Sequence, residues 1–438
     1  MPQFLNSADP GFEAAFAALL GMKREDSPDV DAAVAAIIAD VRARGDAAVL
    51  ELTARFDRLE LTAGRLAFTP GEIEAECARV SPEDRAALEL AAERIRAYHL
   101  RQMPQDEQWT DATGAMLGWR WTAVSAAGLY VPGGLASYPS SVLMNAIPAR
   151  VAGVERLVIA CPTPGGAVNP LVLLAARIAG VDTVYRMGGA QAIAALAYGT
   201  ATVAPVDKIT GPGNAYVTAA KKLVMGDVGI DMLAGPSEVL ILADETAEPM
   251  FVAIDLMAQA EHDPRATTYL VTTDEDLPGR VELALRELLA ASSRADVIER
   301  SLTDNGVVIV CPDIDVALDA ANTIAPEHLE VQMAEPFELL GSIRNAGAIF
   351  LGPWTPESVG DYVAGPNHVL PTGGTARFSS PLSVDDFVKK SSVLSYSLQA
   401  LEADGATIMT IAEAEGLEAH AAAVGLRLAA AFGVEDES

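Results

Sequence analysis

The chain has five histidines, and four of them stand beside carboxylate or carboxamide side chains. Gln259 and His262 are three positions apart in the segment LMAQAEHDP, which has the pattern of a helix. This spacing puts both side chains on one helix face. An imidazole nitrogen is a common metal ligand, and an amide oxygen can also bind a metal ion. The pair is therefore a candidate metal site, although a polar helix end before Pro264 explains it equally well.

Glu327 and His328 are adjacent and follow Ala325-Pro326. Glutamate and histidine are the side chains that most often transfer protons in enzymes. Adjacent residues of an extended strand point to opposite faces, whereas in a turn both can face one cleft. The pair is a candidate acid–base pair, and an ordinary surface pair is the alternative.

Asp361 and His368 lie in the long, glycine-rich segment SVGDYVAGPNHVLPTGGTARFSSP, which has few charges. Loops of this length in a compact domain are usually functional. We therefore expect a loop that offers both residues as metal ligands or catalytic groups. Ordinary turn chemistry is the alternative.

Glu415 and His420 flank Gly416 in an alanine-rich C-terminal segment. A lone histidine on an apolar helix is more often a core residue than a ligand. A zinc site of nitrogen and oxygen donors could still draw its ligands from several separate segments, this one included. The remaining histidine, His99, lies in a helix among arginine and tyrosine, where we expect it to face solvent.

The N-terminal part of the chain has the pattern of helices. A helix start is indicated at Ser27-Pro28-Asp29 and a stop at Gly45, and a second start occurs at Ser81-Pro82. We expect residues 1–123 to form a helical region that packs on an α/β core.

From residue 124 the pattern changes to short apolar runs that alternate with helical stretches. Strands that alternate with helices predict parallel sheets with helical crossovers. The fold class expected is α/β, with two Rossmann-like lobes over residues 124–235 and 236–380. Residues 381–438 should form a small helical tail. The runs that predict the strands include AAGLYVPGG, RLVIACP, DTVYRMGG, SEVLILAD, TTYLVTTD, GVVIVCP and AGAIFLG.

Glycine pairs follow three of the strands predicted in the first lobe, although none forms a GxGxxG fingerprint. Ligands of open parallel sheets bind beyond the carboxyl ends of the strands. Glycine there allows the backbone to approach a phosphate closely, or simply makes a tight turn. The pattern favours a nucleotide cleft without identifying the nucleotide. The glycine-bearing segments are Gly133-Gly134, Gly188-Gly189 and Gly211-Pro212-Gly213-Asn214.

Composition excludes several other functions. The 438 residues include 30 Lys plus Arg against 60 Asp plus Glu, a net charge of −30 that should repel nucleic acid and anionic lipid. No run of about 18 uncharged apolar residues predicts a membrane span. The first residues lack a basic stretch followed by an apolar one, so we expect a cytoplasmic protein. The three cysteines form no CxxC pair, and Cys161 and Cys311 have the pattern of buried strand thiols.

Several long segments, taken together and in order, closely resemble the histidinol dehydrogenase family over nearly the whole chain. They are GLYVPGG, YRMGGAQAIAALAYGT, KITGPGNAYVTAAKKLV, DMLAGPSEVLI, MAQAEHDP, APEHLE, GDYVAGPNHVLPT, ARFSSPLSV and EAEGLEAH. The resemblance implies a zinc- and NAD-dependent homodimer that oxidises L-histidinol to L-histidine through L-histidinaldehyde. It implies two hydride transfers, two NAD and one water per turnover.

The resemblance also implies a role for each matching residue. Zinc would be bound by Gln259, His262, Asp361 and His420. Glu327 and His328 would be the acid–base pair. The substrate would contact Ser237, His368 and Glu415, together with His328 and the four zinc ligands. NAD would contact Tyr130, Gln191 and Asn214, in a family that lacks the usual glycine fingerprint.

The C-terminal tail has too little apolar surface to fold alone and must dock elsewhere. Docking on a second protomer would bring Glu415 and His420 to that protomer's zinc ligands, and a two-fold dimer would then hold two shared sites. Docking on its own lobe is the alternative. Three other functions stay open: a related dehydrogenase of another small alcohol such as a sulfonated diol, a zinc hydrolase, and a two-lobed binding protein with a structural metal.

Overall fold

The computed structural model describes residues 2–22, 28–133 and 138–432. The described residues form the strands β1 (Gln3–Asn6), β2 (Glu107–Thr110), β3 (Met116–Ala123), β4 (Ala126–Tyr130), β5 (Arg156–Ala160), β6 (Thr183–Tyr185), β7 (Lys208–Thr210), β8 (Gly229–Ile230), β9 (Glu238–Ala243), β10 (Thr267–Thr272), β11 (Gly306–Val310), β12 (His328–Gln332), β13 (Ala348–Leu351) and β14 (Val388–Ser395). They also form the helices α1 (Phe12–Met22), α2 (Pro28–Arg44), α3 (Asp46–Asp57), α4 (Pro70–Cys77), α5 (Pro82–Leu100), α6 (Pro139–Ala152), α7 (Pro170–Ile178), α8 (Gly189–Tyr198), α9 (Ala215–Val224), α10 (Pro249–Ala260), α11 (Leu277–Leu289), α12 (Ala295–Asn305), α13 (Ile314–Ile324), α14 (Pro336–Leu339), α15 (Glu357–Tyr362), α16 (Leu398–Ala414) and α17 (Glu418–Ala431).

Contacts between residues divide the chain into two compact units. The first unit comprises Met1–Gln102 and Val124–Phe387, and the second comprises Met103–Ala123 and Val388–Ser438. Among the residues described, no helix is both long and apolar enough to cross a bilayer.

The first unit contains a five-stranded parallel sheet in the order β6-β5-β4-β7-β8. Every residue of the central strand β4 is buried, as expected for a parallel sheet that helices cover on both faces. The chain adds β5 and β6 on one side of β4 and then returns to add β7 on the other. The gap between β4 and β7 is therefore a topological switch point, where such sheets bind ligands.

A second parallel sheet of the first unit has the order β1-β11-β10-β9-β12-β13. Here the chain adds β10 and β11 on one side of β9 and then returns to add β12 on the other, so β9 and β12 flank the second switch point. Together the two sheets confirm the predicted α/β class with parallel-sheet lobes.

The N-terminal region differs in detail from the helical region expected. Near the N-terminus, Gln3–Asn6 form the strand β1. This strand pairs with β11 at the edge of the second sheet, with Phe4 opposite Val308. A short segment of this kind has no helical periodicity, and its pairing comes from a distant strand. Helix α5 begins where predicted, with the Ser81 hydroxyl accepting the Asp84 N–H at 3.0 Å. Ser27 and Gly134 lie outside the described residues, and the four-part domain division stays a prediction.

The second unit joins a three-stranded antiparallel sheet, in the order β14-β3-β2, to the helix pair α16 and α17. Gly405 allows these helices to approach closely, because a Cβ there would lie 2.8 Å from Cδ1 of Leu428. Glu415 ends α16, and His420 lies in the first turn of α17.

Candidate active site

Three side chains of the first unit converge as candidate metal ligands. His262, Glu357 and Asp361 each offer one ligand atom, and these atoms lie within 4.8 Å of one another. One imidazole nitrogen and two carboxylate oxygens are donors that zinc binds in enzymes. The donor set therefore fits the metal that the family resemblance implies.

Helix α10 positions Gln259 and His262. The helix ends at Ala260, two residues earlier than the sequence pattern suggests, so only Gln259 lies in its last turn. The His262 N–H still donates to the Gln259 carbonyl at 3.2 Å, which carries the turn on beyond the helix end. Gln259 is buried and His262 is exposed. The structure thus brings both residues to the cluster.

The Gln259 carboxamide faces Glu357. One of its two terminal atoms lies 3.1 and 3.2 Å from the Glu357 carboxylate oxygens and 3.3 Å from Nδ1 of His328. An amide nitrogen in that place donates to the carboxylate. An amide oxygen there requires a cation between the two groups. The second arrangement is the one in which Gln259 serves as a metal ligand.

Glu357 and Asp361 share the short helix α15, four residues apart and hence on one face. The expectation of a loop at Asp361 is therefore wrong. The first N–H of the helix, that of Glu357, donates to the buried Glu330 carboxyl at 2.9 Å, which satisfies a group that a helix start leaves open. Glu357 was missed by the sequence analysis, although its spacing from Asp361 was a usable signal.

His328 is the first residue of β12 and lies buried beside the cluster. Its Nδ1 donates to the Glu238 carbonyl at 3.1 Å, so Nε2 carries the lone pair. Nε2 lies 3.9 Å from both the Glu357 and the Asp361 carboxylates and has no hydrogen-bond partner among the described residues. Burial lowers the pKa of His328 to about 4. The ring is therefore neutral at pH 7 and can accept a proton at Nε2.

Glu327 also forms a hydrogen bond with the backbone of Glu238, the first residue of β9. The Glu238 N–H donates to Oε2 of Glu327 at 2.9 Å, and this oxygen lies 3.7 Å from Nδ1 of His328. Burial raises the pKa of Glu327 well above that of an ordinary glutamate. A carboxyl group shifted in this direction is better suited to exchange protons near neutral pH.

Both members of the pair lie at the amino end of β12, beside the amino end of β9. In the first sheet, by contrast, the candidate residues follow the carboxyl ends of strands. Ser237 immediately precedes β9 and is half-buried, which places it one residue from Glu238. The second lobe therefore places its chemistry at the edge opposite to the usual ligand edge.

His368 lies next to the metal-ligand cluster. Its Nδ1 donates to the Asp361 carbonyl at 3.0 Å, and its Nε2 lies 3.2 Å from the Ser141 hydroxyl on α6. Burial lowers the pKa of His368. The structure thus brings this predicted substrate contact to the same site.

The prediction that His99 faces solvent is wrong, because its side chain is fully buried. Helix α5 packs against α6 through the face that carries Ile95 and His99. Nδ1 of His99 donates to the Ile95 carbonyl at 2.7 Å, and Nε2 lies 3.3 Å from the Asn367 amide nitrogen. His99 therefore anchors the residue that precedes His368.

The three predicted NAD contacts lie at or beyond the carboxyl ends of strands of the five-stranded sheet. Tyr130 ends β4, Gln191 lies in the first turn of α8 after β6, and Asn214 caps α9 after β7. The Tyr130 hydroxyl accepts the Gly189 N–H at 3.1 Å. Oε1 of Gln191 is buried without a partner among the described residues. A buried acceptor and two helix starts at this edge fit a dinucleotide.

Glu415 and His420 belong to the second unit, where both are exposed. The alternative that His420 is a core residue is therefore wrong. Its role as a metal ligand, and that of Glu415 as a substrate contact, stay predictions.

The described fold and site define an α/β protein in which three candidate metal ligands lie beside the buried Glu327 and His328. The family model of histidinol dehydrogenase matches residues 21–428. Curated histidinol dehydrogenases of Cereibacter sphaeroides and Ruegeria pomeroyi are 66% and 62% identical, each over 98% of this chain and 99% of the relative. The crystal structure of histidinol dehydrogenase from Elizabethkingia anophelis is 35% identical, with a TM-score of 0.94 over 98% of this chain and 99% of that one.

These matches cover nearly the whole chain. The chain belongs to the histidinol dehydrogenase family.

Proposed function

We propose that this protein oxidises L-histidinol to L-histidine through L-histidinaldehyde, in the last steps of histidine biosynthesis. It uses zinc and NAD and works as a cytoplasmic homodimer. The observation that carries the proposal is the cluster of His262, Glu357 and Asp361 beside the open Nε2 of a neutral His328, in a chain of this family.

Gln259, His262 and Asp361 would bind zinc, with His420 of the second unit as a further ligand. Zinc, when bound, would hold the imidazole and amine of histidinol, both of which are good zinc donors. Fixing the substrate in this way reduces the translational and rotational entropy that is lost on reaching the transition state. Ser237, His368 and Glu415 would contribute polar contacts to the same molecule.

His328 removes the proton of the substrate alcohol. Its Nε2 has the lone pair and no competing partner among the described residues, and its Nδ1–H is fixed on the Glu238 carbonyl. NAD, when bound at Tyr130, Gln191 and Asn214, would accept the hydride from the same carbon in each half-reaction. A positioned base of this kind contributes about 10²–10⁴-fold to the rate.

Glu327 serves the second oxidation. The aldehyde must first add water to form a gem-diol, and only then can it lose a second hydride to give the carboxylate. Glu327 takes the proton from that water, and burial, which raises its pKa, makes its carboxylate a stronger base than that of an ordinary glutamate. His328 then serves as base for the diol as it does for the alcohol.

Family membership favours histidinol over the other small alcohols, and no described feature favours a zinc hydrolase or a binding protein. The test is a spectrophotometric assay of NAD reduction with L-histidinol, before and after a chelator removes the metal. We expect chelator-sensitive NADH formation. A hydrolase or a binding protein would form no NADH.

The neutrality of His328 can be checked by NMR on protein labelled at its five histidines. We expect the His328 ring to stay neutral down to about pH 4, because burial disfavours the charged form. The variant His328→Asn identifies the signal by its loss. A titration midpoint near the ordinary value of about 6.5 would contradict the expected shift of the His328 pKa.

The same shift has a consequence for stability. The unfolded chain takes up the His328 proton first as the pH falls, so the stability that neutral His328 contributes is present above about pH 6.5 and is lost by about pH 4. Relative to His328→Asn, the wild-type free energy of unfolding should fall by about 1.4 kcal/mol per pH unit in this window. Denaturant unfolding of both proteins at several pH values measures the difference.

Each site should combine the first unit of one protomer with the second unit of its partner. His262→Asn and His420→Asn should each be inactive alone. When their subunits exchange, each heterodimer has one site with both lesions and one with neither. Activity should therefore return to about half of the wild-type value per dimer.

The control mixes His262→Asn with His328→Asn, whose lesions lie in the same unit. Every site of that heterodimer keeps one lesion, so activity should stay absent. If the first mixture also fails to recover, with heterodimers confirmed by mass spectrometry, the site lies within one chain.

A further inference from the structure

A buried ion pair lies beneath the predicted cofactor cleft. Lys221 projects from α9, and its ammonium group contacts the carboxylate of Asp231, which follows β8. Their side chains are only 3% and 1% exposed. Buried charges lose their hydration, so the pair is tolerated only where each partner has good further hydrogen bonds.

Both partners find those further bonds at one residue, Gly211. The Lys221 ammonium donates to the Gly211 carbonyl at 3.0 Å. The Gly211 N–H donates to Oδ2 of Asp231 at 2.8 Å. The ion pair thus bonds both backbone polar groups of this glycine. Hydrogen bonds to charged groups are stronger than neutral ones.

Gly211 opens the segment 211–214, which we call the cofactor loop. Its φ of 111° lies in the region that favours glycine, and a Cβ would lie 2.1 Å from the Tyr130 carbonyl. The loop is therefore pressed against the end of β4, at the switch point between β4 and β7. At its other end Asn214 caps α9 by accepting two backbone N–H groups, at 3.0 and 3.2 Å.

We propose that Lys221 and Asp231 are positioning residues that hold the cofactor loop in its NAD-binding conformation. The proposal rests on the proposed function, because it takes the ligand of this cleft to be NAD. Neither residue is exposed enough to touch a dinucleotide, so both act through Gly211 on Tyr130 and Asn214. Removing the pair should release the loop and weaken NAD binding while leaving the zinc cluster intact.

A purely structural role is the alternative, and a double variant separates the two. Lys221→Met combined with Asp231→Leu replaces both charges with apolar side chains, which often keeps a fold stable because no unpaired charge is left behind. The double variant leaves no unpaired charge and supplies no side-chain bond to Gly211. Weak NAD binding in a stable, zinc-loaded double variant therefore reports on the loop and not on folding.

The experiment measures NAD binding by titration calorimetry, together with zinc content, thermal unfolding and the KM values for NAD and histidinol. In the double variant we expect the Kd and KM for NAD to rise about tenfold or more, as for the loss of a charged hydrogen bond. Zinc content and the KM for histidinol should stay at wild-type values. The control Lys222→Met makes the same change at the neighbouring, exposed position and should leave NAD binding unchanged.

Asp231→Asn is the second variant, because it changes a single atom and keeps the side-chain volume. It leaves the buried Lys221 ammonium without its counter-charge, so its thermal unfolding is measured beside its NAD binding. It retains an oxygen for the Gly211 N–H but loses the charge that holds Lys221, so it should weaken NAD binding less than the double variant does. NAD binding at wild-type strength in both folded variants would overturn the proposal and leave the proposed function standing. A wild-type protein that binds no NAD would refute the proposed function as well.

Discussion

The variant His262→Asn should lose its zinc and its activity together. His262 shares its cluster with Glu357 and Asp361 and is the nitrogen donor among the three. Without it, the two carboxylates form a weaker zinc site. Loss of a group that merely orients a ligand already costs about 10–100-fold in metal affinity or activity, so loss of a ligand should cost more than about 100-fold. Metal analysis of the purified variant and the histidinol assay measure both effects.

Glu357→Gln extends this test to the residue that only the structure revealed. Its carboxylate lies within the same cluster and faces Gln259, so its loss should also weaken zinc binding. The control Glu261→Gln changes an exposed carboxylate next to His262 and should keep both zinc and activity. Full activity in a demonstrably metal-free protein would contradict the assignment of a catalytic metal site.

Glu327→Gln should slow the oxidation of histidinaldehyde by about 10²–10⁴-fold, as expected for loss of a proton-transfer group. The oxidation of histidinol should fall far less, because only the aldehyde step needs an activated water. The substitution keeps the side-chain shape and an oxygen that can accept the Glu238 N–H. Single-turnover measurements with each substrate separate the two halves.

His328→Asn is the matched comparison, because a base shared by both oxidations should slow both when it is lost. Equal losses in the two halves for Glu327→Gln would show that Glu327 orients the substrate instead. A wild-type rate of histidinol oxidation in His328→Asn would show that His328 is not the base for the alcohol.

The repeating patterns of the chain predicted strands of both parallel sheets, because a buried parallel strand is an apolar run in the sequence. They did not predict the antiparallel sheet of β2, β3 and β14, whose first two strands lie in the region expected to be helical. The β4 run AAGLY is apolar throughout and is buried throughout. The edge strand β1 was not predicted, since its place depends on pairing with β11, about 300 residues later in the chain. Local periodicity carries no information about such a partner.

In the site, too, local spacing could be predicted and contacts between distant segments could not. Gln259 and His262 could be paired by helical spacing, and the structure keeps them together although α10 ends at Ala260. The link between His328 and the Glu238 backbone could not be predicted from spacing, because it arises where β9 and β12 lie side by side. His99 was placed in solvent for a related reason, because that helix face is buried by its packing against distant elements such as α6 and α7.

The most direct test of the account is the stoichiometry of NAD reduction with limiting L-histidinol. Two hydride transfers at one site, served by His328 for both and by Glu327 for the second, predict two NADH formed per histidinol consumed, with L-histidine as the product. One NADH per histidinol, with the aldehyde released into solution, would contradict a site that carries out both oxidations.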